Sequence, residues 1–323
     1  MNPFASGVDG EWANACLTKP LANSARLCYM CICHGDTQLC KRGSVARIAK
    51  AGPAGRWEPE VSVTVVLPTY NERENLATLV TAVLAELPDA RVLVVDDNSP
   101  DGTGQLADSL ARTDPPHVSV LHRPKKEGLG AAYVAGYLRA LREWPDTEFL
   151  IQMDADFSHD PGYLRPMVEA MQDADVVVGS RYVNGISIVN WPLHRLIVSK
   201  LGTAYARLLT GLPITDCTSG FKCYRAEVLQ AIDLGSIRSN GYVFQVETSF
   251  RAWRKGYRLN DLPIIFHERR AGESKLHLNI ALEALWVVMR LGVARALERK
   301  PEVTREQSVP TAQAPEDPAS SSP

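Results

Sequence analysis

The chain has 323 residues and a formal net charge of −2 at pH 7, so it is long enough to bury a large apolar core. The near-neutral charge gives no general reason to expect nucleic-acid binding. No run of about 18 apolar residues occurs, so no membrane-spanning helix is expected, and we see no secretory signal at the start. These features predict a cytoplasmic protein that can still attach to a membrane surface.

The first 60 residues show no helical or strand periodicity. Five of the seven cysteines lie in the first 40 residues, and the run Cys28-x-x-Cys31-x-Cys33-His34 has side chains that bind zinc. The second ligand pair that a zinc finger needs is missing, so a disordered extension is the preferred interpretation. Disulfides are not expected in a reducing compartment.

Composition also sets the expected domain bounds. Residues 51–55 are rich in Gly and Pro and read as a linker, and the chain from Pro301 onward has the composition of a disordered tail. The sequence therefore predicts an N-terminal extension over 1–60, one folded domain over 61–300 and a disordered tail over 301–323.

The folded segment alternates short apolar strands with helices. Strands are expected at 61–67, 91–95, 118–121, 149–153 and 175–179. Helices are expected from near Glu74, after Thr103 and around 131–141. This alternation implies crossover connections, and therefore an α/β fold with a mostly parallel central sheet flanked by helices.

Two carboxylates directly follow the apolar segment 149–153. Asp154 and Asp156 are separated only by Ala155, and in an extended chain residues i and i+2 point to the same side. Neighbouring carboxylates repel each other. Mg²⁺ removes that cost, and it typically takes one or two carboxylates together with substrate phosphates. The pattern favours a metal–diphosphate site, with an Asp-rich polar turn as the alternative.

Polar residues also follow the other strands: Tyr70 and Glu72, Asp96 and Asp97, Ser180 and Arg181. In a parallel sheet these ends lie along one edge, where open α/β sheets bind ligands. Acids there could hold a nucleotide base and ribose. The alternative is that each Asp caps the following helix, which we expect for Asp101.

Six segments occur in order: LPTYNERENL (67–76), DDNSPDGT (96–103), MDADFSH (153–159), GSRY (179–182), SGFK (219–222) and RRAGESK (269–275). This set resembles the family-2 glycosyltransferases of the GT-A fold, and within them the polyprenol-phosphate (dolichol-phosphate) mannose synthases. The resemblance covers about residues 63–276. It implies a nucleotide-diphospho-sugar transferase that uses Mg²⁺ or Mn²⁺, with GDP-mannose as donor and a polyprenyl (dolichyl) monophosphate as acceptor.

The resemblance also implies residue roles. Pro68, Tyr70 and Glu72 would line the nucleotide pocket, and Val95 and Asp97 would contact the guanine and ribose. Asp154, Ala155 and Asp156 would hold the donor diphosphate, with Asp154 and Asp156 as metal ligands. Arg181, Arg269 and Lys275 would meet phosphates and sugar, and with Asp156 they form the expected catalytic set. Ser158 stands where some relatives have Gln as a third metal ligand, so its coordination is not expected, and Asn98 replaces a frequent Gly with little expected effect.

This family inverts the anomeric centre of the sugar, and the residues agree with that chemistry. A metal would neutralise charge on the departing GDP, and Arg269 and Lys275 can hold phosphate through charge-assisted hydrogen bonds. The attacking phosphate oxygen is already ionised at neutral pH, so no strong general base is needed. The basic loop with Gly272 and Ser274 is interpreted as a lid over the donor, with a solvated loop as the alternative.

An anionic lipid acceptor requires contact with a bilayer. Residues 193–209 combine apolar side chains with His194, Arg195, Lys200 and Arg207, as interfacial helices do. Residues 280–297 are more apolar, and core packing is the alternative for both segments. We expect a peripheral protein on the inner face of the cell membrane, with a membrane-anchoring protein as a candidate partner.

Three further residues are assigned lesser roles. Cys217 and Cys223 are expected to be packed small residues rather than ligands. Glu247 is expected on a helix that backs the site, with a structural role as the alternative.

Other functions remain open at this stage. One is a glucosyltransferase acting on a polyprenyl phosphate, or another family-2 transferase, because a few hydrogen bonds decide sugar choice. A non-catalytic membrane-surface protein of the same fold is a second, and a metal-dependent nucleotidyltransferase a third.

Overall fold

A computed structural model describes residues 61–188, 191, 193–266 and 278–297. The expected cysteine-rich extension, the linker and the C-terminal tail lie outside these residues, so the domain bounds remain predictions.

Seven strands form a single sheet: β1 Val63–Thr69, β2 Arg91–Asp96, β3 Val118–His122, β4 Phe149–Gln152, β5 Val176–Ser180, β6 Lys222–Arg225 and β7 Leu259–Pro263. Their spatial order is β3-β2-β1-β4-β6-β5-β7. All neighbours pair in parallel except β6, which runs antiparallel to both β4 and β5. The five expected strands are present with small shifts at their ends, and the mostly parallel α/β sheet is confirmed.

Eight α-helices accompany the sheet in the described part of the chain: α1 Arg73–Glu86, α2 Thr103–Thr113, α3 Leu129–Glu143, α4 Leu164–Ala170, α5 Leu193–Thr210, α6 Ala226–Ala231, α7 Gly241–Arg254 and α8 Leu278–Leu297. Short 3₁₀ turns occur at Pro161–Tyr163 and Leu234–Ser236. Among the described helices, none combines the length and the apolar character that crossing a bilayer requires.

The sheet separates two apolar cores. Side chains alternate along each strand, so Val66, Leu93 and Val178 pack with α3, α7 and α8, whereas Val65 and Val94 pack with α1 on the opposite face. Strands β1, β2, β4 and β5 are therefore buried on both faces, as expected for β-branched runs in a parallel sheet, whereas the edge strands β3 and β7 are only partly buried.

Helix α3 lies unusually close to the sheet. A Cβ atom at Gly136 would lie only 2.6 Å from Val66 Cγ1, so the absence of a side chain permits this approach. The neighbouring turns of α3 thereby bring two buried tyrosines, Tyr133 and Tyr137, to strand β4.

Candidate active site

The carboxyl ends of β1, β2, β4 and β5 lie along one edge of the sheet, because these four strands are parallel to one another. Three of them end in turns that contain a non-glycine residue with positive φ: Asn71 (63°), Asn98 (59°) and Phe157 (62°). Such backbone conformations cost energy and cluster at functional sites. Asn98 thus adopts a left-handed backbone conformation, which Asn tolerates more readily than most other non-glycine residues.

Asp154 and Asp156 lie directly beyond the end of β4. Asp154 is partly exposed, and Asp156 is buried and accepts a hydrogen bond from the Ser158 backbone N–H (3.0 Å). The backbone N–H of Asp154 donates to His159 Nδ1 (3.0 Å), and the His159 ring stacks on Phe221. The backbone around the two acids is therefore held on both sides of Ala155, which is also buried.

Asp154 and Asp156 supply two carboxylates at this edge of the sheet, and the charges of both act on Tyr133. In the described ranges, no group of three or more His, Cys, Asp or Glu side chains is placed to hold a metal ion. Two carboxylates suit Mg²⁺ or Mn²⁺, because Mg²⁺ completes its coordination with water and substrate phosphates. A carboxylate offers about four lone-pair sites, so the hydrogen bonds described here do not preclude coordination.

Helix α3 contacts the acids through a residue that sequence reasoning missed. Tyr133 is fully buried, and its hydroxyl donates to Asp154 Oδ1 at 2.7 Å. Burial raises the pKa of Tyr133 well above its usual range, and the negative charges of Asp154 and Asp156 raise it further. The phenol therefore keeps its proton and acts as a hydrogen-bond donor.

The reversed direction of β6 brings its preceding loop to the same edge. Lys222 pairs with Gln152 at the end of β4, and Gln152 Nε2 donates to the Gly220 carbonyl and to Gln245 Oε1, both at 2.8 Å. Segment 219–222, which was selected from the sequence as a motif, therefore lies beside the acids.

On the other side of β4, Asp97 follows β2 and is buried. Arg123, at the end of β3, pairs with it through Nη1 and also contacts Glu127 at 2.7 Å. Burial raises the pKa of Asp97, and the charge and hydrogen bonding of Arg123 offset this only in part. Asp97 is thus a fixed acid at the strand edge, and Arg123 is a second residue not selected from the sequence.

Tyr70 follows β1 and is 36% exposed, with the Lys126 ammonium 3.5 Å from its ring centroid. Its neighbours in the predicted nucleotide pocket differ in exposure. Pro68 and Val95 are buried, and Glu72 is partly buried and accepts a hydrogen bond from Asn75 at 2.9 Å. Tyr70 and Glu72 therefore offer accessible surface beside β1.

Asp101 binds the start of α2 as expected, although the N-cap position itself is Gly102. The Asp101 carboxylate accepts from the Thr103 and Arg73 backbone N–H groups at 3.0 and 3.2 Å. It therefore ties the start of α2 to the start of α1.

Arg181 lies at the end of β5 and is buried in a bidentate ion pair. Its Nε and Nη2 donate to Asp216 Oδ2 and Oδ1 at 2.6 and 2.8 Å, and Nη2 also donates to Thr218. Burial alone would raise the pKa of Asp216, but the charge and hydrogen bonds of Arg181 exceed this effect and the pKa is lowered. Arg181 is therefore a charged group within the protein interior at the site edge.

Beside this pair, an apolar groove of about 490 Å³ lies between α5, α7 and α8. Trp191, Arg195 and Thr218 lie among its lining residues. The guanidinium groups of Arg195 and Arg181 lie 4.1 and 5.3 Å from the Trp191 ring centroid. The apolar walls of the groove are formed by Val198, Leu201, Gly202, Tyr205, Ala206, Val243, Val246, Ala284, Leu285 and Val288. One end of the apolar groove therefore lies beside two guanidinium groups, of which that of Arg181 is already paired with Asp216.

Glu247 is buried on α7, where it accepts hydrogen bonds from Ser239 and Arg251. The same helix supplies Phe244 and Gln245, which contact Tyr133 and Gln152. Helix α7 therefore packs behind the two acids through Phe244 and Gln245. The Glu247 carboxylate instead binds Ser239 and Arg251, which is a structural role.

Other expected residues fall into two groups. Cys217 and Cys223 are fully buried, as expected for packed small residues, and burial raises the pKa of Cys217 to about 12. Arg269, Lys275 and the expected lid lie outside the described residues.

Comparison with known proteins identifies related sequences. The family described as Glycosyl transferase family 2 matches residues 64–233. The chain is 45% identical over 248 residues to the polyprenol monophosphomannose synthase of Mycolicibacterium smegmatis. The aligned segment covers 76% of this chain and 93% of that protein. It is 48% identical over 236 residues to the undecaprenyl-phosphate mannosyltransferase of Micrococcus luteus, covering 73% and 96%.

Solved structures share the fold at low identity. Glucosyl-3-phosphoglycerate synthase from Mycobacterium tuberculosis, crystallised with Mg²⁺ and uridine diphosphate, matches with a TM-score of 0.53 at 14% identity, covering 72% of this chain and 80% of that one. The same enzyme with Mn²⁺, UDP-glucose and phosphoglyceric acid matches with a TM-score of 0.51, at 14% identity and with the same coverage. These structures agree with the GT-A fold expected from the sequence.

Proposed function

Because this chain belongs to glycosyltransferase family 2, we propose that it transfers mannose from GDP-mannose to a polyprenyl monophosphate. The observation that carries the proposal is the position of Asp154 and Asp156 beyond the end of β4, at the sheet edge that also carries Tyr70, Asp97 and Arg181. The names of the two relatives support mannose as the sugar and a polyprenyl phosphate as the acceptor.

The two carboxylates fit a divalent cation, since oxygen ligands suit Mg²⁺ and Mn²⁺. Asp154 and Asp156 would hold it together with the donor diphosphate. When bound, the ion would supply positive charge that stabilises the departing GDP. The solved relatives that contain Mg²⁺ or Mn²⁺ support this role.

The donor nucleotide is proposed to lie over the ends of β1 and β2. Tyr70 and Glu72 offer exposed surface there, with Pro68 and Val95 forming the floor. Asp97 would accept hydrogen bonds from the guanine, and its ion pair with Arg123 holds the carboxylate in place. A carboxylate in that position favours a base that presents N–H donors.

The acceptor is proposed to enter from the groove. Its phosphate would lie near Arg195 and Arg181, and its first isoprene units would lie against the apolar walls of α5, α7 and α8. A phosphate oxygen attacks the anomeric carbon of mannose from the face opposite the diphosphate. The bond from that carbon to the diphosphate oxygen breaks, GDP leaves with the electron pair, and the anomeric centre inverts.

This reaction needs little proton transfer. The second pKa of a phosphate monoester is about 6, so the nucleophile is ionised at neutral pH. Catalysis would then come mainly from positioning and electrostatic stabilisation. Arg269 and Lys275 are proposed to close over the donor, and unchanged turnover in Lys275→Ala would contradict that role.

A bilayer-bound acceptor places the protein at a membrane surface. Helix α5 exposes Leu193, Ile197 and Leu208, and α8 exposes Trp286 and Met289. We propose that these faces meet lipid on the cytoplasmic side of the cell membrane, with a membrane-anchoring protein as a further partner.

The test is product formation with purified protein, polyprenyl phosphate in detergent, and GDP-mannose or UDP-glucose, with and without Mn²⁺. We expect a mannolipid only with GDP-mannose and metal, detected by mass spectrometry. Asp156→Asn should lower turnover at least about 100-fold, because metal stabilisation of developing charge is worth several kcal/mol. Asp160→Asn is the matched control, since Asp160 is an exposed acid four residues away that caps the Pro161–Tyr163 turn.

Transfer from UDP-glucose instead would identify a glucosyltransferase. Full activity in Asp156→Asn would contradict the metal site, and no product from either donor would contradict the proposed reaction.

A further inference from the structure

We propose that Tyr133 is a positioning residue that fixes Asp154 in the orientation required for metal binding, an inference that rests on the proposed function. The two oxygens of Asp154 face different elements. Oδ1 accepts the hydrogen bond from Tyr133 on α3 at 2.7 Å. A Cβ atom at Gly220 would lie 3.5 Å from Oδ2, so Oδ2 faces the loop before β6.

The Tyr133 ring is itself held rigidly. It is fully buried, and it stacks on Phe244 of α7 with ring centroids 6.0 Å apart and planes inclined by 4°. The ring of Tyr137 also stacks on that of Tyr133, with ring centroids 5.9 Å apart. The hydroxyl therefore has a defined position, and its hydrogen bond to Oδ1 restrains the orientation of the Asp154 carboxylate.

The hydroxyl is the donor in this contact, because an ionised carboxylate can only accept hydrogen bonds. The hydrogen bond at Oδ1 restricts the Asp154 side chain before a cation binds. Less conformational entropy is then lost on binding. Partners that orient metal ligands in this way typically contribute about 10- to 100-fold in metal affinity.

The same helix provides a matched control. Tyr137 is equally buried and lies one turn further along α3, but its hydroxyl donates to Gln152 Oε1 at 2.7 Å rather than to a carboxylate. Tyr133→Phe and Tyr137→Phe each remove one buried hydroxyl oxygen and keep the ring. Only the first removes a contact to a proposed metal ligand.

The experiment measures Mn²⁺ binding in the presence of GDP, using the electron paramagnetic resonance signal of free Mn²⁺, on full-length protein. We expect Tyr133→Phe to raise the Kd for Mn²⁺ about 10- to 100-fold, and Tyr137→Phe to leave it within about twofold of the parent. Thermal midpoints without metal, measured in parallel, report any loss of stability. In turnover assays, Tyr133→Phe should raise the Mn²⁺ concentration needed for half-maximal rate and recover most of kcat at saturating metal.

An unchanged Kd in folded Tyr133→Phe would overturn the inference, as would equal weakening in both variants, which indicates a structural effect. If Tyr133→Phe does not fold, Tyr133→Met, which fills part of the same space with a flexible side chain, undergoes the same titration. Failure of the parent protein to bind Mn²⁺ with GDP would overturn the proposed metal site together with this role. Binding by the parent and by Tyr133→Phe alike would overturn only the role of Tyr133.

Discussion

At the scale of single residues, the Arg181–Asp216 pair combines burial with full charge. Both side chains are almost inaccessible to solvent, and two hydrogen bonds join them. Removing one partner of such a pair leaves an uncompensated charge in the interior, which is more costly than the loss of an exposed ion pair. The pair therefore contributes to holding the end of β5 against the loop that carries Thr218.

We expect Asp216→Ala to lower the free energy of unfolding by about 3–5 kcal/mol, because Arg181 remains buried without its carboxylate. Urea denaturation followed by circular dichroism measures this. Asp146→Ala is the control, since Asp146 pairs with Arg91 but is 59% exposed, and it should cost about 1 kcal/mol or less. Equal losses in the two variants would contradict the interpretation.

Lys222 gives a prediction about pH. It is fully buried and donates to the Gln245 carbonyl and to Ser249 Oγ at 2.6 and 2.9 Å. Burial lowers its pKa from 10.5 to about 7. The unfolded chain therefore binds more protons than the folded protein between pH 7 and 10.5, and this residue makes stability rise with pH across that window.

We expect Lys222→Met to remove this rise, which amounts to at most about 1.4 kcal/mol per pH unit. The measurement is the free energy of unfolding in urea at several pH values from 7 to 10, compared with the parent. Lys125→Met is the control because Lys125 is 73% exposed, and it should retain the slope of the parent. A parent slope that persists in Lys222→Met would show that other groups cause it.

The sequence located some residues of the candidate site at strand ends and missed others for a physical reason. Asp154, Asp156 and Asp97 follow apolar strands directly, so local pattern locates them. Tyr133 contacts an acid 21 residues away and Arg123 contacts one 26 residues away. Such contacts depend on how α3 and β3 pack against neighbouring strands, and no local pattern encodes that packing.

At the scale of elements, α5 presents two different faces. Thr203 and Ala206 are buried, whereas Leu193, Ile197 and Leu208 are between 49 and 77% exposed. The spacing of these exposed residues places them on one stripe of the helix. An exposed apolar stripe beside basic residues is typical of helices that lie in a membrane interface.

We expect the double variant Ile197→Asp/Leu208→Asp to reduce binding to vesicles containing anionic lipid by at least about tenfold, because each apolar side chain gains about 1.5–3 kcal/mol when fully buried. Cosedimentation with vesicles measures this. Neither residue lines the groove, so turnover in detergent should persist. Leu138→Asp on α3 is the control, since Leu138 is 49% exposed, and loss of binding in that variant too would contradict an α5 interface.

Strand β6 shows where element prediction failed. Its four residues, Lys222–Arg225, include two charged side chains, so no apolar run marks them as a strand. The strand forms because β4 and β5 lie on either side and supply backbone partners, and because Lys222 Nζ finds acceptors on α7. Tertiary packing therefore decides this element, as is common for short strands.

At the scale of the whole molecule, ligand binding and folding should be linked. The proposed donor site draws residues from β1, β2 and β4, so a bound ligand should stabilise the entire sheet. We expect GDP with Mn²⁺, at about 100 times its Kd, to raise the free energy of unfolding by about 2.7 kcal/mol.

The measurement is urea unfolding with GDP alone, Mn²⁺ alone and both together. Asp156→Asn should lose the additional stabilisation that Mn²⁺ gives to GDP, whereas Asp160→Asn should keep it. Identical curves with and without Mn²⁺ in the parent would contradict joint binding of metal and nucleotide at Asp154 and Asp156.

The size of the groove has a consequence for substrate choice. A volume of about 490 Å³ lies in the range of roughly 300–1,000 Å³ that holds a drug-sized molecule, far short of a long polyprenyl tail. Only the units next to the phosphate would touch protein, and the remainder would stay among the acyl chains of the bilayer. Such an enzyme would not select its acceptor by chain length. Shortened polyprenyl phosphates should therefore be turned over as fast as long ones when both are dispersed in the same detergent.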